Sequence, residues 1–124
     1  MLKDATIHVY LPAANVGRAR KFYEEVIGLT PKEVYAGGVL YECGGAIAFL
    51  YPTPNAGTSK ASQAYWEVAD VEAEVADLKA RGVTFEEYDM PGMPMKNSIV
   101  TAGGASTAWF KDTEGNILAV SQRL

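Results

Sequence analysis

Apolar residues in this chain follow two alternating periods. The run Thr6 to Leu11 has the density of a strand. Asn15 then stands as a helix N-cap ahead of Val16, Ala19, Phe22, Tyr23, Val26 and Ile27, which recur at helical spacing until Gly28 stops them. Three short β-rich segments follow: Lys32 to Ala36, Val39 to Cys43 and Ala46 to Tyr51. Gly37-Gly38 and Gly44-Gly45 separate them, where glycine supplies the backbone freedom of tight hairpins. The pattern so far is βαβββ. Pro52 to Ala61 carries Pro52, Pro54, Asn55 and Gly57 without periodicity and reads as a surface connection. Beyond it the pattern restarts. Ser62 to Val68 forms a strand, Asp70 caps a helix with Val71, Val75 and Leu78 on one face, and Gly82 ends it.

The restart has a register. Asn15 and Asp70 as caps, Val16 and Val71 as first helical residues, and Tyr23 and Leu78 as core anchors all lie 55 positions apart. Later, Gly45-Ala46-Ile47-Ala48-Phe49-Leu50 matches Gly115-Asn116-Ile117-Leu118-Ala119-Val120 at a spacing of 70. The second half therefore carries extra residues, Tyr88 to Ser98, which include Met90, Met93 and Met95. The expected fold is α+β: two βαβββ modules, residues 1–52 and 62–124 joined by a linker at 53–61, forming a curved mixed sheet around a cleft with the helices outside. A cleft between repeated elements is where small ligands usually bind.

Composition narrows the function. With 124 residues, 48% of them hydrophobic, the chain supports one core in a single domain. Its apolar runs are far shorter than the roughly 20 residues a membrane helix needs, and Met1 to Tyr10 lacks the layout of a signal peptide, so a cytoplasmic protein without a membrane partner is expected. The single cysteine, Cys43, has no disulfide partner and reads as a small buried strand residue. A net charge of −4 disfavours phosphate backbones, and no nucleic-acid partner is expected.

Two segments carry a family likeness. Phe22-Tyr23-Glu24-Glu25-Val26-Ile27-Gly28-Leu29 and Asp112-Thr113-Glu114-Gly115-Asn116 resemble the helix end and the hairpin of the vicinal-oxygen-chelate superfamily, which includes glyoxalase I, bleomycin and fosfomycin resistance proteins and extradiol dioxygenases. The resemblance spans nearly the whole chain. It implies a paired βαβββ fold, usually a homodimer, whose metal enzymes draw ligands from four related strand positions. Carried onto this chain, those positions are His8, Phe49, Gln63 and Ala119. Histidine matches and glutamine is permissive, but phenylalanine and alanine cannot bind a metal. A catalytic transition metal wants about three protein ligands and an open position, so no metal and no cofactor are expected, including a divalent metal at His8 and Gln63. Glu67 offers no rescue, since it stands about 13 Å along the strand from Gln63.

Strand alternation places His8 and Tyr10 on one face with Ile47, Phe49, Tyr51, Gln63, Tyr65, Glu67, Ala119 and Ser121. If the ligand positions mark the cleft, this aromatic-rich set lines it. The candidate ligand-binding residues are His8, Tyr10, Phe49, Tyr51, Gln63, Tyr65, Met93, Met95 and Trp109. Trp109 joins them although its parity cannot be fixed across its hairpin, and the segment Met90 to Met95 reads as a lid or as a plug of the sheet. Trp66 and Val68 have the opposite parity and should pack beneath the helices.

Three functional readings follow from these residues. The first is a small-molecule binding or sequestering protein with an aromatic cleft and no catalytic metal, its ligand planar or apolar. The second is a metal-independent lyase or isomerase using His8, Tyr65 and Glu67 as acid/base groups. Last comes a glyoxalase- or dioxygenase-like metalloenzyme. Substituting His8→Gln separates the first two, because binding should survive while turnover should not.

Overall fold

The computed structural model describes residues 1–89 and 91–124. Its elements are β1 (Val9–Ala13), α1 (Val16–Lys21), β2 (Pro31–Tyr35), β3 (Gly38–Cys43), β4 (Ala46–Pro52), β5 (Ser62–Glu67), α2 (Val71–Ala80), β6 (Val100–Ala102), β7 (Ala105–Lys111) and β8 (Ile117–Arg123). They form two four-stranded sheets, ordered β1-β4-β3-β2 and β5-β8-β7-β6. In each sheet the first strand runs parallel to the last and the other pairs are antiparallel. This is the α+β, two-module architecture that the repeat implied.

Both helices start where the sequence placed their caps. Asn15 Oδ1 accepts the Arg18 N–H at 3.0 Å and Asp70 Oδ1 accepts the Ala73 N–H at 3.1 Å, each satisfying a donor the helix itself leaves free. The first helix then departs from expectation. After Lys21 it widens into a π-helical turn over Phe22–Ile27, closed by Gly28 at φ 91°. The wide turn lets neighbouring Phe22 and Tyr23 both reach apolar partners. Their rings meet edge-on at 5.4 Å, Phe22 reaches Phe110 in the second half, and Tyr23 reaches Tyr41 in the first.

A second departure concerns the start of β1. The expected strand Thr6 to Leu11 is instead Val9–Ala13, and residues 5–8 form an unpaired arm. Ahead of it, Leu2–Asp4 closes a tight 3-10 turn in which Asp4 N–H donates to Met1 O and Ala5 N–H to Leu2 O, and pairing with β4 begins only at Val9. Cys43 also differs from expectation, being half-buried at the end of β3.

Alternation sorts each sheet into two faces. Leu11, Val39, Tyr41, Ala48 and Leu50 of the first sheet, and Ala108, Phe110, Leu118 and Val120 of the second, turn toward the helices and join Ala19, Tyr23, Val71, Val75 and Leu78 in one core cluster. Trp66 and Val68 pack against this cluster, as their parity required, with Trp66 stacked on Phe110 at 6.3 Å. The opposite face of each sheet remains open.

The hairpin Asp112–Asn116 locks the halves together. Asp112 Oδ1 accepts the N–H groups of Glu114 and Asn116, both at 2.9 Å, while Oδ2 accepts the Asn116 amide at 2.8 Å and the hydroxyl of fully buried Tyr23. Asn116 Nδ2 also donates to Pro12 O at 2.7 Å, on β1. Glu114 takes Arg18 through two hydrogen bonds of 2.9 and 3.0 Å and accepts the Asn15 N–H at 2.9 Å. The linker closes onto the same hairpin at Gly57, whose N–H donates to Asn116 Oδ1. Only glycine fits there: at φ 74° an added Cβ would sit 2.3 Å from Glu114 O. A buried polar network of this kind is stable because every member is satisfied, and no buried side-chain nitrogen or oxygen among the described residues lacks a partner.

Candidate functional site

The open face of the first sheet is organised by one cross-strand row. Pairing aligns Tyr10 on β1 with Phe49 on β4, Phe49 with Leu40 on β3, and Leu40 with Glu33 on β2. Directly opposed residues share a face, so these side chains project together. The corresponding row of the second sheet is Tyr65, Ala119 and Trp109. Ala119 stands where Phe49 does and is almost completely covered, and Tyr88 meets the Trp109 ring edge-on at 5.7 Å. The pairing thus settles the parity of Trp109: it shares the open face with Tyr65.

A cavity of about 520 Å³ lies over the first row. The sheet supplies Val9, Tyr10, Tyr35, Leu40 and Phe49 to its wall, and the arm supplies Leu2, Ala5, Thr6, Ile7 and His8. Its polar groups are few: the His8 imidazole, two phenols and the Thr6 hydroxyl. Three rings define the wall, with Phe49 at 6.2 Å from both Tyr10 and Tyr35. Ile7 is 90% and Leu2 92% exposed, and among the described residues the hydrogen bonds of residues 1–5 are made within that segment. The cavity's volume lies within the range of small-molecule pockets, and its walls are mainly apolar with few polar groups.

Of the residues singled out from the sequence, His8, Tyr10 and Phe49 line this cavity. Tyr51, on the same face, is not among the lining residues but meets Tyr10 edge-on at 5.0 Å. Gln63 sits elsewhere, at an irregularity of β5 beside the linker, where its Nε2 donates to Tyr10 O at 3.3 Å. Tyr65 is 65% exposed on the second sheet, and Glu67 pairs with Arg123 at 3.2 Å. Met95 accepts the Tyr88 N–H through its sulfur, Met93 is exposed, and Met90 lies outside the described residues. His8 is therefore the one acid/base candidate of the three that lines the cavity; Tyr65 and Glu67 do not. Tyr35, Leu40 and the arm residues Leu2, Ala5, Thr6 and Ile7 were missed. Leu40 carried a usable signal, since it has the hairpin parity of Phe49. Tyr35 carried the same signal, since it pairs with Gly38 across the two-residue turn and so shares the face of Leu40.

Charged groups on this side are partly compensated. Lys32 pairs with Glu42 at 2.7 Å, and the carboxylate raises the lysine's pKa. On the helix side, the Arg20 guanidinium lowers the pKa of Glu24, and burial followed by the Glu24 hydrogen bond pushes the Tyr41 phenol up. Burial, with Asp112 beside it, likewise raises Tyr23. These tyrosines stay neutral and structural. Among the described residues no three of His, Cys, Asp and Glu come together in a way that could hold a metal ion. None of their helices is long and apolar enough to cross a membrane.

Known proteins share this arrangement. Residues 6–120 match the model of the Glyoxalase/Bleomycin resistance protein/Dioxygenase superfamily, and the chain belongs to that superfamily. Among solved structures it is similar to TnmS3, an antibiotic binding protein from Streptomyces sp. CB03234, at 21% identity and a TM-score of 0.72, over 100% of this chain and 99% of that one. It is also similar to a glyoxalase/bleomycin resistance protein/dioxygenase from Alicyclobacillus acidocaldarius, at 15% identity and a TM-score of 0.71, over 98% and 92% of the two chains. A virulence protein from Salmonella typhimurium aligns over 100% of both chains at 18% identity with a TM-score of 0.73. No curated protein matches in sequence. At these identities the structural likeness establishes the fold, and the chemistry must come from the site itself.

Proposed function

We propose that this protein binds a small, largely apolar organic molecule in the first-half cavity and holds it without a catalytic metal. The observation that carries the reading is the wall itself: Tyr10, Tyr35 and Phe49 with Leu40 and Ile7 around about 520 Å³. Aromatic walls grip flat molecules through area and ring contacts, and the few polar tips orient them. An antibiotic binding protein among the structural neighbours accords with this use of the fold.

The donor set does not fit a metal. Of the four positions at which the family's metal enzymes take ligands, Phe49 and Ala119 offer no donor, and Gln63 spends its amide N–H on Tyr10 O. An imidazole and an amide oxygen alone supply too little charge to offset the desolvation of a divalent cation. Acid/base catalysis by His8 with Tyr65 and Glu67 has no geometric support within one chain, because only His8 reaches the cavity.

A second copy of the chain completes the proposal. Tyr10 and Tyr65 stay 64% and 65% exposed on the open faces, and large exposed apolar patches mark interaction surfaces. Two copies related by a twofold axis would set the second-half face of one over the cavity of the other.

Titration with N-phenyl-1-naphthylamine, a neutral dye that fluoresces in apolar sites, tests the binding reading. Saturable binding with a Kd of about 10⁻⁴ M or tighter is expected from typical ligand efficiencies. Phe49→Asp should abolish it and Tyr65→Ala should weaken it less. Equal binding by wild type and Phe49→Asp would refute the location.

A further inference from the structure

We infer that the molecule received by this cavity is a planar organic cation, held among the rings of Tyr10, Tyr35 and Phe49; the inference rests on the binding reading above. Ring geometry is the first ground. Phe49 lies between the two tyrosines, tilted 43° to Tyr10 and 88° to Tyr35, with both centroids 6.2 Å away. All three residues line the one cavity, so a bound cation can meet more than one ring. A cation within about 6 Å of a ring face is attracted by its quadrupole.

Charge is the second ground. Among the described residues no Lys or Arg lines the cavity, so no fixed cation among them competes for those rings. The row Glu33–Leu40–Phe49–Tyr10 puts Glu33 on the cavity side of β2, where its carboxylate accepts the Tyr35 hydroxyl hydrogen bond. That bond aims the phenolic proton at the carboxylate and leaves the ring electron-rich. Lys32 is close enough to be influenced by both Glu33 and Glu42, yet makes its ion pair with Glu42. Among the described residues Glu33 makes no ion pair with a Lys or Arg. An anion would meet this carboxylate and a chain of net charge −4. A neutral molecule would gain the apolar contact alone.

Two dyes of nearly equal shape provide the test: 9-aminoacridine, a cation at neutral pH, and acridine, its neutral counterpart. Fluorescence titrations of the full chain in low-salt buffer should give on the order of tenfold tighter binding for the cation, as cation–π contact with more than one ring implies. Glu33→Gln should cut that advantage several-fold and leave acridine unchanged. Tyr35→Leu and Phe49→Leu should erode it further, whereas Tyr35→Phe, which keeps the ring, should retain most of it. Should the leucine variants not fold by circular dichroism, Glu33→Gln at the exposed rim decides the matter. Acridine binding as tightly as 9-aminoacridine overturns the cation inference and leaves the binding reading standing. A cation advantage unchanged in Glu33→Gln and in folded Phe49→Leu also overturns it. Failure of both dyes to bind overturns the binding reading, and this inference with it.

Discussion

Replacing Glu114 by glutamine tests the clasp that joins the halves. The Glu114 side chain is fully enclosed, and its oxygens accept two hydrogen bonds from Arg18, one from Asn15 N–H and one from Thr113. The Arg18 guanidinium, bonded to the carboxylate, lowers its pKa to about 2 from the ordinary 4.5. A depressed carboxylate pKa stabilises the fold above the unfolded value, and the contribution drains away as pH falls from 4.5 toward 2. At about 1.4 kcal/mol per pH unit the ceiling is roughly 3 kcal/mol, and the half-exposed Arg18 side chain, screened by solvent, reduces it to roughly 2 kcal/mol. For a chain of this size that is a fall in Tm of about 8 °C. Thermal melts of wild type and Glu114→Gln from pH 7 to pH 2.5 should show the full gap at and above pH 5 and a narrowing gap below it. A gap that is the same at every pH would mean that the ionised clasp contributes nothing.

The other parts of the account make separate predictions. Tyr23→Phe removes the hydroxyl that Asp112 accepts in the core and should cost about 1–2 kcal/mol in urea unfolding, with the m-value unchanged. Gly57→Ala puts a Cβ against Glu114 O at positive φ and should destabilise by about 2 kcal/mol or more, whereas Gly92→Ala, with open space around it, should cost less in the same assay. Ligand in the cavity should cover the arm: N-phenyl-1-naphthylamine should slow tryptic cleavage after Lys3 several-fold in wild type and leave it unchanged in Phe49→Asp. Equal cleavage with and without dye would show that the arm takes no part in binding.

Much of this molecule follows from short-range rules. Caps at Asn15 and Asp70, the stops at Gly28 and Gly82, and the alternation of β4 and β5 are local, so they were legible residue by residue, and the repeat they spell implied the two βαβββ modules; that each module closes its own four-stranded sheet came from the structure. The sequence motif at Asp112–Asn116 could be recognised but not explained. Its partners, Tyr23, Pro12, Asn15, Arg18 and Gly57, are brought to it only by the fold. Those contacts show why it marks the fold and says little about the ligand. In the site, Tyr10 and Phe49 were legible from parity. Tyr35 was legible by the same hairpin parity, through its pairing with Gly38, but was passed over; Trp109 was hidden by a hairpin register that depends on the Asp112 turn. The arm was misread because Thr6, Ile7 and His8 have the composition of a strand, while pairing with β4 begins only at Val9.

Whether the cavity holds its ligand without a metal is best tested by titrating N-phenyl-1-naphthylamine into protein treated with a chelator and then supplemented, in parallel samples, with zinc, nickel, manganese or ferrous iron. The account predicts the same saturable binding in every sample, lost in Phe49→Asp. Binding that appears only after a metal is added, and that disappears in His8→Gln, would contradict it.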